Sequence, residues 1–484
     1  MAVASVQWFG VVICGIRVSH DGGVAVIEDD RLVFGIELEK LDSGRRHHPL
    51  GDLEQVAAIL RSEGLTPADI DRFVVDGSAP ETDSTEPARI ATLVGGRPVE
   101  LTIAPYQDRP GRTIPLARHR FRGHGFGSAA DEYVSYHHVD QHIMGGYCAS
   151  PFAARGEDAL VLVGDGGAVA RLYHVVAAAR KVRSVATFRA DSRERLALSS
   201  LVHRDASLPS KLVVTGESAL DIKWNSQLQG IVEEIWIPPF PDDSGAAIGA
   251  ACCEMFRNGR NPALRWGVYS GPRVRVCGVP DNWRRQLCDE RGVAELLHRK
   301  GEPVVVLSGR AEIGPRALGN RSILAPATDS AVRDRLNGIK HRAVRRSVAA
   351  VCLAERAVEV FGPGGSDPYL TFEHRIRADW TDRIPAVQVD GVARVQTIDA
   401  AAKSPTARIL AAYEAISGIP VLCNTSANSE GCGFFPDVAA AARWGGARYI
   451  WSEGYLYTDQ ARARQTIRER GSAPRDWGHT SVMW

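Results

Sequence analysis

The sequence predicts an α/β protein: an internally duplicated domain followed by a smaller α+β domain. Three observations carry that expectation. The 484 residues exceed what one hydrophobic core usually holds, so two domains are expected. An apolar run followed by an Asp-Gly-Gly turn occurs twice, at Asp21-Gly22-Gly23 and at Asp165-Gly166-Gly167. Between residues 258 and 300, Pro262, Gly267, Gly271-Pro272, Gly278 and Pro280 break the chain into short pieces before the composition changes. The expected division is 1–285 and 286–484.

In chain order, Trp8–Arg17 is a strongly apolar run that reads as a central strand. Val24–Ile27 and Arg31–Ile36 follow it across the Asp29-Asp30 turn. Leu53–Glu63 places Leu53, Val56, Ala57 and Leu60 on one helical face behind Asp52, a candidate N-cap, and Arg72–Val75 is a further strand. Residues 76–129 are rich in Pro, Gly and Arg and leave room for two strands. Leu160–Val163 and Ala168–Tyr173 flank the second Asp-Gly-Gly turn and repeat the opening pattern. A helix at Arg193–Val202 precedes the short strands Lys211–Thr215 and Glu234–Ile237. Helix Gly292–Lys300 and strand Glu302–Leu307 open the second domain. Strand Val421–Asn428 and helix Asp437–Gly445 come near its end, ahead of a basic tail, 462–484.

Composition excludes several classes. Lys+Arg 58 against Asp+Glu 57 gives a net charge of +1, so any nucleic-acid contact has to be a local patch. Nine scattered cysteines without a C-x-x-C pair argue against structural zinc or a disulfide framework and favour reduced thiols in a cytoplasm. No apolar run reaches membrane-spanning length, and Met1–Cys14 lacks the basic start of a secretory signal.

Two stretches carry chemistry. His138-Val139-Asp140-Gln141-His142 puts two imidazoles four residues apart, on one helical face, where they can share a metal ion. A wet surface pair would have the same spacing, but the strand and Asp165-Gly166-Gly167 that follow favour a nucleotide and metal site. Asp243 opens a helix of small residues and is either its cap or a third ligand, which would give an N/O site for a divalent transition metal. Gly216, Glu217 and Ser218, continuing to Asn225, form a strand-to-helix loop suited to touching a nucleotide. The second stretch, 308–324, packs Arg310, Arg316, Arg321 and Asn320 among glycines between two apolar runs, an anion-binding pattern. Lys340 and Arg345 belong to a basic cluster after it, and Asn424-Thr425-Ser426 is a polar strand end suited to a small planar ligand.

Taken together these residues resemble the O-carbamoyltransferase family of natural-product and nodulation-factor biosynthesis. Ser308-Gly-Arg-Ala-Glu-Ile-Gly-Pro-Arg-Ala-Leu-Gly-Asn-Arg-Ser-Ile-Leu324 is close to that family's G-R-x-E-x-G-P-R-A-L-G-N-R-S-I, and Ser19-His20-Asp21 matches its S-H-D. The resemblance implies an N-terminal actin-like, sugar-kinase-like ATPase domain related to tRNA threonylcarbamoyl-transferring proteins. It also implies a C-terminal domain like threonylcarbamoyladenylate synthase. The implied reaction joins carbamoyl phosphate and ATP, with Mg2+, into carbamoyladenylate and passes the carbamoyl group to a hydroxyl. The implied roles are a divalent ion such as Fe2+ on His138, His142 and Asp243, His20 and Asp21 at the acceptor, and Arg316 and Lys340 in catalysis. Gly22, Gly166, Gly167, Gly216, Glu217, Ser218, Asn225, Arg310, Asn320, Arg345, Asn424, Thr425 and Ser426 would contact the nucleotide and carbamoyl phosphate.

The chain departs from the family at Glu37-Leu38-Glu39-Lys40, where E-E-R is usual, and at Asp242, Gln388 and Arg345-Arg346. It also departs at Gly216-Glu217-Ser218-Ala219-Leu220-Asp221, where G-G-x-A-L-N is usual; these changes leave the phosphate and metal groups present, so they point to a different acceptor rather than a different reaction. The acceptor expected is a hydroxylated small metabolite or nucleoside. 5-Hydroxymethylcytosine in DNA is the alternative, and a small-molecule kinase or ATPase a further one. No membrane partner is expected, and a homodimer is a candidate assembly.

Overall fold

The computed structural model describes residues 10–77, 87–106, 114–122, 132–165, 169–189, 194–258, 261–343, 347–362 and 365–461. The fold is mixed α/β, with four sheets among the described residues. In the first, the strands run in the order Arg31–Glu37, Gly23–Glu28, Val12–Arg17, Arg72–Asp76, Glu132–Tyr136, His119–Arg122. In the second the order is Lys181–Arg189, Val169–Val176, Ala159–Gly164, Lys211–Thr215, Glu234–Trp236. In both, three antiparallel strands form a meander, and two parallel strands are then added beside the meander's first strand. The two sheets thus share a strand order over these five strands. The stretch 76–129 contains three described strands rather than two, because Ala88–Val94 and Arg97–Ile103 pair into a small separate hairpin and His119–Arg122 joins the edge of the first sheet.

The third sheet has ten strands, from Trp283–Leu287 at one edge to Phe361–Gly362 at the other, around a core of Val304–Leu307, Ile323, Leu324 and Val421–Cys423. Strand Trp283–Leu287 pairs with Tyr455–Asp459, so a division at 285/286 falls inside a strand of this sheet.

Two helices cross between the first two sheets. His138–Cys148 packs on strands of the second sheet and Ala246–Asn258 on strands of the first. All eleven residues of the former are buried, which removes the surface-pair reading of its histidines. The crossing is close because it runs through glycine: a Cβ on Gly249 would stand 2.3 Å from the Gln141 carbonyl, and one on Gly145 would stand 3.2 Å from Gly249 Cα. That approach sets the start of one helix against the histidine face of the other. Among the described residues no helix is long and apolar enough to cross a membrane.

Candidate functional site

His138 and His142 direct their Nε2 atoms at one point, 3.1 Å apart. Asp243, in the short turn before helix Ala246–Asn258, brings Oδ1 to 2.9 Å from His138 Nε2 and 3.3 Å from His142 Nε2. Asp165, just past strand Ala159–Gly164, adds Oδ2 at 3.5 and 3.7 Å from the same nitrogens. The ligand atoms of all four lie within 4.8 Å of one another. Two imidazoles and two carboxylates converging on one point form a donor set for a divalent transition metal.

A second layer orients these groups. Asp76, ending strand Arg72–Asp76, holds both carboxylate oxygens 3.0 Å from His138 Nδ1, which turns Nε2 inward. Arg17, fully buried at the end of the first strand, donates to Asp76 and, at 2.6 Å, to Asp243. Its guanidinium also lies 2.8 Å from His138 Nδ1. With the Nδ1 proton given to Asp76, that approach is a contact rather than a hydrogen bond. The Tyr106 hydroxyl donates to Asp165 at 2.8 Å.

Electrostatics follow from this layout. Burial disfavours a charged His142, but Asp165 and Asp243 outweigh it and lift the ring to about 9. His138 is raised too, against burial, by Asp76 and Asp243. Asp243 is held well below the carboxylate range by His138 and Arg17, again against burial. The cluster attracts positive charge strongly, as a cation site must.

Three of the four, His138, Asp165 and Asp243, line a cavity of about 510 Å³ that His20, Asp21, Arg46 and Glu217 also line. His20 is half-exposed, with Nδ1 3.1 Å from Asp21 and Nε2 3.2 Å from Asp243. The bond to Asp21 raises its pKa. A second cavity, of about 410 Å³, is lined by Arg316, Arg342, Arg394, Asn424, Thr425 and Ser426. The two share Arg46, Leu220 and Pro315, so they adjoin.

Comparison with known proteins gives the family of the chain. The model of the carbamoyltransferase N-terminus matches residues 12–106, 127–190 and 185–252, and that of the carbamoyltransferase C-terminus matches 294–447. The chain belongs to the carbamoyltransferase family. Nodulation protein U of Sinorhizobium fredii is 36% identical over 92% of this chain and 98% of its own length. The 3'-hydroxymethylcephem-O-carbamoyltransferase of Amycolatopsis lactamdurans is 29% identical over 88% and 94%, and that of Streptomyces clavuligerus 32% over 66% and 60%. This carbamoyltransferase is thus an enzyme with a cluster able to coordinate a metal.

Within the carbamoyltransferase, the residues singled out from sequence divide by position. His20, Asp21, Glu217, His138 and Asp243 line the first cavity, and Arg316, Asn424, Thr425 and Ser426 the second. Others hold backbone. The Gly22 amide donates to the His48 carbonyl at 3.0 Å, and Gly216, at φ +87, donates to the Pro241 carbonyl at 2.7 Å. Gly164 has no room for a Cβ, which would meet Ser218 Oγ at 2.7 Å. Asn225 is buried and donates to the carbonyls of Ala219 and Thr371, both at 2.9 Å. Arg310 pairs with Glu63 at 2.9 Å, and Asn320 donates to the Arg310 carbonyl at 2.8 Å. Lys340 sits behind Ser426, donating to the carbonyls of Ser426 (2.9 Å) and Asn428 (2.6 Å) and to the Asn428 side chain. Burial pushes its pKa down to about 7. Gly166, Gly167 and Arg345 lie outside the described residues.

The motif 308–324 spends most of its charge on its own shape. Glu312 accepts the amides of Leu318 (2.7 Å), Asn320 (2.8 Å) and Arg321 (3.1 Å). Buried Arg321 donates to the carbonyls of Ser308, Gly309, Asn320 and Pro272. What remains for the cavity is Arg316, which also donates to the Leu220 carbonyl at 2.6 Å.

Sequence reasoning missed Arg17, Asp76 and Tyr106, and read Asp165 only as a turn residue. A signal existed for the first two: each is a charged residue that ends a strand directly after a run of apolar residues.

Proposed function

We propose that the chain is an ATP-dependent O-carbamoyltransferase with its two chemical steps in the two adjoining cavities. In this reading carbamoyl phosphate, ATP and water yield carbamoyladenylate, phosphate and pyrophosphate in the cavity of Arg316, Asn424, Thr425 and Ser426. The guanidinium fork suits the anionic oxygens, and the strand-end amide and hydroxyls suit the planar carbamoyl group. The acceptor hydroxyl then attacks the carbamoyl carbon in the cavity of the histidine–aspartate quartet. AMP leaves, and His20, oriented by Asp21, takes the hydroxyl proton. His138, His142, Asp165 and Asp243 would hold an Fe2+-class ion, which would supply Lewis-acid polarisation there, and Mg2+ would accompany ATP.

The observation that carries the reading is that the cavities adjoin, sharing Arg46, Leu220 and Pro315, so an unstable intermediate need not enter bulk solvent. The common strand order of the first two sheets supports reading them as the halves of an actin-like domain. The ten-stranded sheet, with strand Trp283–Leu287, is the carbamoyladenylate-forming domain. The acceptor is a small hydroxylated metabolite or nucleoside; the name of the cephem relatives specifies a hydroxymethyl acceptor for those proteins.

The test is incubation with ATP, carbamoyl phosphate and a divalent metal without acceptor. Pyrophosphate release that depends on carbamoyl phosphate is expected, and ADP formation would instead indicate a kinase. A mass-shift screen of metabolites, nucleosides and DNA containing 5-hydroxymethylcytosine then identifies the acceptor. The variant His20→Ala should release pyrophosphate and carbamoylate nothing.

A further inference from the structure

We propose that Asp21, Glu39 and His47 hold a second divalent cation, at the edge of the first cavity. Three observations meet there. His47 Nδ1 lies 2.6 Å from Asp21 Oδ1, and the ligand atoms of Asp21, Glu39 and His47 all lie within 4.8 Å of one another. The Glu39 side chain is nine-tenths buried, yet its Oε2 has no hydrogen-bond partner; Arg46 Nε, 3.5 Å away, is out of hydrogen-bond geometry and equally unmatched. A buried carboxylate oxygen that has an ion pair with Arg46 but no hydrogen bond is under-satisfied, and a bound cation would supply the missing partner.

The third observation is charge. Among the described residues that line the cavity, Asp21, Asp165, Glu217, Asp242 and Asp243 stand against Arg17 and Arg46, beside three histidines, so with the histidines neutral as metal ligands one divalent ion on the quartet leaves a carboxylate in excess. An anionic adenylate is repelled from such a cavity unless further positive charge is present. Two carboxylates and an imidazole suit Mn2+ or Zn2+. His47 is half-exposed, which leaves coordination positions open to a phosphate oxygen from the cavity. Asp21 also touches His20 through its other oxygen, so the second cation would fix the placement of His20. The site stands on its own geometry; its role in receiving the adenylate rests on the function proposed above.

Metal-free full-length protein titrated with Mn2+, with bound ion counted, tests the site. The wild type should bind two equivalents. His47→Ala and Glu39→Gln should each bind one, with unchanged circular dichroism, His142→Ala should keep one, and His47→Ala/His142→Ala should bind none. A wild type that binds one equivalent, or a His47→Ala protein that still binds two, overturns the proposal. Two equivalents bound in a protein that releases no pyrophosphate would sink the proposed function and leave this site standing.

Discussion

Replacing Lys40 by alanine should unfasten the motif 308–324 from the N-terminal part of the chain. The Lys40 ammonium is fully buried and donates, at 2.7 Å in each case, to Glu37 Oε1 and to the carbonyls of Glu312 and Gly314. Alanine leaves a buried carboxylate and two carbonyls without that donor, and only the Gly314 amide, at 2.7 Å, still serves Glu37. Breaking one side of a buried ion pair costs about 3–5 kcal/mol. The assay is the denaturant midpoint of the variant, read beside Glu37→Met/Lys40→Met, in which both charges are gone and most of the loss should return. Glu37 sharpens the test. Burial pushes its pKa from 4.5 up to about 7 in spite of Lys40. Between those values the folded chain keeps a proton that the unfolded chain has shed, so this group's contribution falls as pH rises. Without Lys40 the carboxyl is raised further, so the penalty of Lys40→Ala should be larger at pH 7 than at pH 5. A Lys40→Ala protein within about 0.5 kcal/mol of wild type, or a double variant no better than the single one, would refute the fastening role.

Three further outcomes are expected. His142→Ala should lose the metal of the quartet while keeping carbamoyl-phosphate-dependent pyrophosphate release; equal metal content in variant and wild type by elemental analysis would remove His142 as a ligand. Arg316→Lys keeps the charge but loses the fork, so pyrophosphate release should fall by the equivalent of about 2–4 kcal/mol; normal turnover would take Arg316 out of the reaction. Gly314→Ala meets both a φ of +87 and a Cβ 2.0 Å from the Pro239 carbonyl, so it should lower stability by at least about 1–3 kcal/mol, read as a drop in the thermal midpoint.

Much of the frame was legible in the sequence because it is written in local patterns. The apolar runs before Asp21 and Asp165 became paired central strands of two sheets with one topology, and the four-residue spacing of His138 and His142 survived as a shared ligand point. Asp243 was left open between cap and ligand, and its contacts to both histidines favour the ligand. What escaped is what depends on partners distant in the chain. Arg17 meets Asp243 across 226 positions, and Asp76 meets His138 across 62. Composition alone also could not separate a charge that grips a ligand from one that grips backbone. Arg316 and Arg321 stand five positions apart in the same motif, yet one faces a cavity and the other is consumed by four carbonyls.

The adjoining cavities have a consequence in concentration. A single molecule confined to about 510 Å³ is present at about 3 M, whereas the same donor free in solution at millimolar levels would be more than a thousandfold more dilute. In the proposed reaction, an alcohol seated beside the quartet would therefore meet a carbamoyl donor formed in the adjoining cavity as though dissolved in it. Under those conditions tight binding of the donor adds little to the rate, and the outcome turns on which nucleophile, substrate hydroxyl or stray water, occupies the shared space when the donor arrives.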